Sequence, residues 1–175
     1  DLAMYGKTLG NGYAITAVVG KSEVMQACQS TFISSTFWTE RIGSVAALKT
    51  LEIMEREKSW ITITNNGKSI IKRWKDLARK YSVDIELFGI PALCGFNFAS
   101  QNNLAYKTFI TQEMLKYNFL CGNTIYSSIS HESENIDNYF YHLDKLFKKI
   151  ADFEDGEDFQ KYLEGPICHS GFNRL

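Results

Sequence analysis

Lys7 is the residue around which chemistry in this chain has to be argued. It stands in Tyr5-Gly6-Lys7-Thr8-Leu9-Gly10-Asn11-Gly12, one cation among closely spaced glycines. Two chemistries use a lysine in such a setting. It can grip a phosphate as the charged arm of a nucleotide-binding loop. It can instead be a nucleophile, its deprotonated amine attacking an aldehyde and later carrying a proton. In both cases glycines let the backbone approach a ligand without Cβ clashes.

The flanks discriminate between the two. A phosphate loop of the form G-x-x-x-x-G-K-[ST] lies between a strand and a helix. Gly6, Lys7 and Thr8 match its second half, but Asp1 holds the place of the first glycine. The residues after Lys7 are wrong as well. Gly10 and Gly12 lead into Ala14-Ile15-Thr16-Ala17-Val18-Val19, a β-branched apolar run that reads as a buried strand over 14–19 rather than a helix. A strand at this point would tie the lysine to a rigid sheet, as a covalent role requires.

The composition bounds the setting. At 175 residues, 45% hydrophobic and 22% charged, the chain can bury a real core. A net charge of −1 argues against a general nucleic-acid binder. The run "AITAVVG" is far short of the roughly 20 apolar residues of a membrane span. Cys28, Cys94, Cys121 and Cys168 form no CxxC pair, so zinc and dithiol chemistry are weak readings beside four reduced thiols in a cytoplasmic protein. The start at Asp1, inside a dense motif, reads as a piece of a longer protein.

The remaining elements follow from periodicity. A short helix is expected over "KSEVMQACQ", with Ser22 as its cap, then an irregular loop over "STFISSTFWT". From Glu40 the pattern turns helical, with Ile42, Val45, Leu48 and Leu51 in step. A second helix covers about 63–81, although Gly67 weakens its first turn. "VDIELFG" and "ALCGFNFA" read as a hairpin turning at Gly89-Ile90-Pro91. Asn103 caps a helix over about 104–117, and "NTIYSSI" reads as a short strand. The clearest helix starts near Ser133, with Ile136, Phe140, Leu143, Phe147 and Ile150 on one core-facing stripe. "DFQKYLEG" is a last short helix. The first 35 residues do not look able to close a core of their own.

Other polar residues read more plainly. His131 is a turn histidine at a strand-to-helix junction. Cys168 and His169 are adjacent, so their side chains diverge and form no nucleophile–base pair. Asp84 and Glu86 share an exposed strand face. Asp152, Glu154, Asp155, Glu157 and Asp158 lack calcium-loop spacing and read as a solvated run. Tyr5 and Tyr13 flank the lysine as pocket walls or as core aromatics.

"DLAMYGKTLGNGYAITAVVGKSEVM" resembles the lysine segment of class III pyridoxal-phosphate-dependent aminotransferases, the glutamate-semialdehyde aminomutase group in particular. The acidic–apolar lead-in, the Gly-Lys pair, the glycine-rich turn, the small-residue strand and the closing G-[KR]-x-x-[VI]-M all occur in order. "SSTFWTERIGSVAALKTLEIM" resembles the family's threonine loop before an Ala-rich helix. Where the family often has Gly-Asn-Pro, this chain has Trp38-Thr39-Glu40-Arg41. The resemblance covers residues 1–152. The tail "LEGPICHSGFNRL" resembles aminotransferases associated with surface-polysaccharide synthesis.

The resemblance implies the α/β edge of a fold-type I PLP-dependent transferase large domain, followed by a small α+β C-terminal domain. Residues 1–56 would end the large PLP-binding domain with its linking helix, 57–154 would form the small domain, and 155–175 the tail. It implies pyridoxal 5′-phosphate held by Lys7 as a Schiff base, with Lys7 also shuttling the proton. Gly6, Gly10 and Gly12 would shape the loop. Thr36 would bind the cofactor phosphate across a homodimer interface, and a small amino or keto compound would be the substrate. The family's pyridine-pairing aspartate and phosphate-gripping turn lie upstream of such a lysine, so the 175 residues are expected not to catalyse alone. The rival expectation is a non-catalytic α+β interaction module with an inert lysine motif.

Overall fold

The β-branched run after Lys7 does form a strand, but a later and shorter one than its apolar residues suggest. In a computed structural model, which describes residues 1–171, β2 spans Ala17–Gly20 and pairs antiparallel with β1 (Leu2–Tyr5) in the register Leu2↔Gly20 to Tyr5↔Ala17. The lead-in residues are thus a strand themselves, and the Lys7 loop is the connection of a hairpin. The expected burial is not found in this chain. Leu2, Met4, Val18 and Val19 are all exposed, Met4 at 84%. A two-stranded ribbon alone is marginal in water.

Two compact units divide at Ser59, Asp1–Ser59 and Trp60–Leu175. In the first, the short helix α1 (Ser22–Met25) passes into a 3₁₀ turn over Gln26–Ser30. Lys21, not Ser22, occupies the cap position of α1, and no side chain caps it. The helix α2 (Ile42–Glu57) ends where Lys58 turns left-handed, at φ 49°, its N–H donating to Met54 O. The expectation that the N-terminal residues close no core of their own agrees with the burial. Besides Ser59, only Gly10, Gly43 and Ala47 are buried in this unit, while Ile42, Val45, Leu48 and Leu51 lie exposed along α2.

The second unit has a proper core. Its order is α3 (Ser59–Tyr81), β3 (Ile85–Ile90), β4 (Leu93–Phe98), α4 (Asn103–Lys116), β5 (Thr124–Tyr126) and α5 (Ser133–Glu154), closed by a 3₁₀ turn over Phe159–Tyr162. The three strands form an antiparallel sheet in the order β3-β4-β5. On the central strand, Cys94, Phe96 and Phe98 alternate onto one face and are buried. Phe96 meets Trp74 at 4.9 Å and Phe147 at 5.8 Å between ring centroids, and Phe98 meets Tyr106 edge-on at 5.5 Å. Such pairs add to the area these large side chains remove from water.

The helix stripes are as the periodicity predicts. Ile136, Phe140, Leu143, Phe147 and Ile150 are all buried, as are Ile70, Trp74, Leu77 and Ala78 on α3. The two helices run parallel, because their cross-links keep a nearly constant sequence offset. Arg73 donates to Asp137 (2.5 Å), Trp74 Nε1 to Tyr139 OH (3.1 Å), and Lys80 to Asp144 (2.6 Å). Helix α3 starts at Ser59, before the expected residue 63, and runs through Gly67 unbroken. Gly67 is there for closeness. A Cβ on it would lie 1.7 Å from Pro91 O and 2.4 Å from Pro91 C, so the hairpin backbone rests on the helix. The hairpin turns at Pro91-Ala92 rather than at Gly89, which stays in β3 at φ 84°, paired with Cys94. On α4, Asn103 does not cap its own helix; its Oδ1 accepts from Phe98 N at 3.0 Å and ties the helix to β4.

The tail lies along α4. Gln112 donates to Tyr162 O (2.8 Å) and accepts from Glu164 N (2.7 Å), and Thr108 Oγ1 accepts from Cys168 N (2.9 Å). The last tail residues, 172–175, lie outside the described residues.

Two outcomes are expected. Gly67→Ala gains roughly 1 kcal/mol of helix propensity but forces a backbone clash that does not relax, so its unfolding free energy in denaturant should fall by about 2–3 kcal/mol net. Burial alone would raise the Asp144 carboxyl, but the hydrogen bonds from Lys80 and Tyr81 outweigh it and hold it below its ordinary value of 3.8. A carboxyl depressed in the folded state contributes stability above its unfolded pKa and loses it as pH falls through the folded one. The stability gap between the parent chain and Asp144→Asn should therefore be largest near neutral pH and close in titrations below about pH 4.

Candidate active site

Lys7 follows β1 by two residues, so the hairpin ladder fixes where its backbone starts. It is the first residue of a 3₁₀ turn over Lys7–Leu9, and Leu9 N donates to Gly6 O at 2.9 Å. Two further tight turns follow, Asn11 N to Thr8 O (3.2 Å) and Tyr13 N to Gly10 O (3.1 Å). Lys7 itself is left-handed, at φ 45°. A non-glycine residue held there carries strain of order 1–3 kcal/mol, a cost that concentrates at functional positions.

The glycines have separate roles. Gly6 is extended (φ −158°) and is the residue before the turn. Gly10 is buried, and a Cβ on it would lie 2.1 Å from Tyr13 O. Gly12 takes φ 105° with open space around it, so its glycine serves the backbone angle and not a close contact. A further glycine, Gly43, was not singled out by the motif. A Cβ there would meet Ala14 O at 2.5 Å and Ile15 Cβ at 3.2 Å, so the start of α2 lies directly on the chain leaving the lysine loop.

Beside that contact lies a cleft of about 810 Å³ within the first unit. Lys7 lines it, with Tyr13, Phe37 and Trp38 as aromatic walls and Ser34, Ser35 and Ser44 among the hydroxyl donors. Tyr13 is thus an exposed wall residue, and Tyr5 is an exposed residue of β1 that does not line the cleft. Thr36 is exposed at the start of the turn over 36–39; its neighbours Ser35 and Phe37 line the cleft and Thr36 does not. The turn is held by Phe37 N donating to Ser35 Oγ (3.2 Å) and Glu40 N to Phe37 O (2.6 Å). Glu40 then bends back. Its carboxylate accepts from Ile42 N and, at 3.5 Å, from Gly43 N, satisfying the first free amides of α2. The sequence signal for this was an acidic residue directly before an apolar helical run.

The residues present suit a flat, anionic aldehyde such as pyridoxal phosphate. An amine stands on one wall, aromatic faces flank the space, hydroxyls can donate to a phosphate, and the wall at Gly43 has no Cβ.

The other polar residues stay outside this cleft. His131 is a turn residue whose Nδ1 accepts from Ser128 N at 3.1 Å, and its carbonyl accepts from Asn66 at 2.8 Å. It borders a recess of about 130 Å³ in the second unit, together with Cys121 and Tyr139. Burial pushes the Cys121 thiol up to about 11, which makes it a poor nucleophile at neutral pH. Asp84 and Glu86 are exposed. Glu157 is held by Lys149 (2.6 Å) and Tyr162, and no metal-holding cluster of acidic, His or Cys residues occurs among the described residues. Cys168 Sγ faces Leu104 O at 3.5 Å, in keeping with a structural tail. Among the described residues no helix is long and apolar enough to cross a membrane.

Comparison with known proteins agrees with the geometry. The model of the class III aminotransferase family matches residues 1–129. The 3-aminobutyryl-CoA aminotransferase of Cloacimonas acidaminovorans is 33% identical over 122 residues, 67% of this chain and 30% of its own. The glutamate-1-semialdehyde 2,1-aminomutase of Saccharolobus islandicus is 25% identical over 166 residues, 87% of this chain and 38% of its own. In fold, the chain is similar to the FumI protein of Sphingopyxis sp. MTA144, solved in its PLP-bound internal aldimine form. There the TM-score is 0.80 at 19% identity, over 89% of this chain and 38% of that one. An omega-transaminase from Sphaerobacter thermophilus gives 0.73 at 16%, over 87% and 39%. The chain therefore spans well under half the length of these relatives. With its lysine loop, its threonine turn and the helix that follows all inside the matched region, the chain belongs to the class III aminotransferase family.

Proposed function

We propose that these residues are the lysine-bearing share of a pyridoxal-phosphate-dependent aminotransferase or aminomutase, with the second unit as its small C-terminal domain. The observation that supports this most is Lys7, left-handed at the end of a strand ribbon and on the wall of an aromatic cleft. Pyridoxal 5′-phosphate, when bound, supplies the aldehyde for the lysine and an electron-withdrawing ring that lets an amino group move between carbons. Lys7 would hold the group through its deprotonated Nζ, the aldehyde oxygen leaving as water. When an amino substrate displaces it, the freed amine takes up the proton to be moved and returns it to a neighbouring carbon. Tyr13, Phe37 and Trp38 hold a planar group and keep water from its faces. Ser34 and Ser35 offer hydroxyls on the near side, and Thr36, exposed and outside the lining of its own cleft, would donate to a phosphate held by a second subunit of a homodimer. The ribbon β1–β2 leaves its apolar residues exposed, and the relatives are more than twice as long, which supports a reading in which catalysis needs residues beyond these 175. A small amino or keto substrate and a cytoplasmic setting complete the reading.

Two measurements test it. The chain, and the complete gene product that carries it, would be mixed with pyridoxal 5′-phosphate, reduced with borohydride and digested. Label on Lys7 well above the other lysines, lost in Lys7→Arg, is the expected result. Label spread evenly over the surface lysines in both samples would instead favour an interaction module with an inert lysine. Gly43→Ala should push the start of α2 off Ala14, costing about 1–3 kcal/mol in denaturant unfolding. It should also slow Lys7 labelling several-fold.

A further inference from the structure

The cleft wall carries a charge pattern that the lysine chemistry does not account for. Of the residues that line it, Lys7 and Glu40 are the charged ones. In the proposed reading, on which this inference rests, the Lys7 amine is committed to the cofactor. The remaining fixed charge is the Glu40 carboxylate. Arg41, next in the chain, is exposed and does not line the cleft.

Glu40 is also held in place. One oxygen accepts from Ile42 N and the other from Gly43 N, while its own N–H donates to Phe37 O at 2.6 Å. The open amides of a sixteen-residue helix would otherwise present a positive end to the cleft. Here that end is taken by a carboxylate from the chain itself. Gly43 is pinned against Ala14 O, so the helix end cannot turn away to offer its amides elsewhere. An incoming anion at this wall meets a like charge and finds the Ile42 and Gly43 amides already used.

We infer that Glu40 is a specificity-determining residue: it closes the α2 end of the cleft to carboxylates, so that the amino compound accepted there carries a neutral or cationic group at its far end. The same carboxylate is an acceptor for a substrate ammonium, so one side chain both excludes and selects. Glu40→Gln keeps an oxygen on the Ile42 amide and removes the charge. Glu40→Ala opens both amides.

The test has two readouts. In the isotope-labelled chain, glutarate would be titrated while the Ile42, Gly43 and Ser44 amide resonances are followed. The parent chain should show no saturable shift, Glu40→Ala a saturable one, and Glu40→Gln a weaker saturable one. Saturation in the parent equal to that in Glu40→Ala, or none in either variant, would overturn the inference. In the complete gene product, kcat/KM for glutamate relative to a diamine should rise about tenfold or more in Glu40→Gln; an unchanged ratio would count against it. The titration needs no cofactor. A failure of Lys7 labelling with the amide shifts as expected would therefore sink the enzyme reading and leave the charge block standing, and the reverse result would do the opposite.

Discussion

The backbone contact at Gly43 is the constraint on which the first unit depends. It lets the start of α2 approach Ala14 so closely that a Cβ on Gly43 would lie 2.5 Å from Ala14 O, and any side chain there would hold the two apart. From it follow the position of the threonine turn opposite the lysine loop, the aromatic walls between them, and the presence of Glu40 at the cleft. The unit has almost no buried side chains to do this work. A few glycine-mediated approaches and a run of tight turns substitute for a core, and they place functional groups well at the cost of leaving apolar surface in water.

The second unit is built on the opposite principle. Trp74, Phe96, Phe98, Tyr106 and Phe147 interlock, and the parallel helices α3 and α5 are pinned at their rims by Arg73–Asp137 and Lys80–Asp144. Exposed ion pairs of this kind add little energy each. Their regular offset still fixes the sliding register of two helices whose apolar stripes alone would tolerate a shift of one turn.

What could be read from the residues followed their physics. The α5 stripe was legible because a period of three and four is a property of the sequence itself, and the lysine motif because it is dense and ordered. The strand character of Leu2–Tyr5 was hidden, since four residues are too few to show alternation and the partner lies across a loop. Gly67 looked like a weak point because helix propensity is local, whereas its reason, the carbonyl of Pro91, is 24 residues away. The turn of the β3–β4 hairpin was misplaced by following Gly89, a residue whose positive φ sits inside the paired strand. Glu40 stood out as the start of a helical pattern and as a departure from a family pattern; that it folds back on the amides of Ile42 and Gly43 depends on side-chain geometry that spacing alone does not fix.

The tail on α4 has a consequence of its own. It is gripped chiefly by its main chain, through the amides of residues 164 and 168 and the carbonyl of Tyr162, by side chains four residues apart on the helix. Such a clasp dictates a path and is largely indifferent to which side chains travel along it. Selection can therefore rewrite residues 165–167 freely while Thr108, Gln112 and Leu163, which packs against the core, are kept, so that the outer surface of this segment is open to evolve at little expense to the body beneath it.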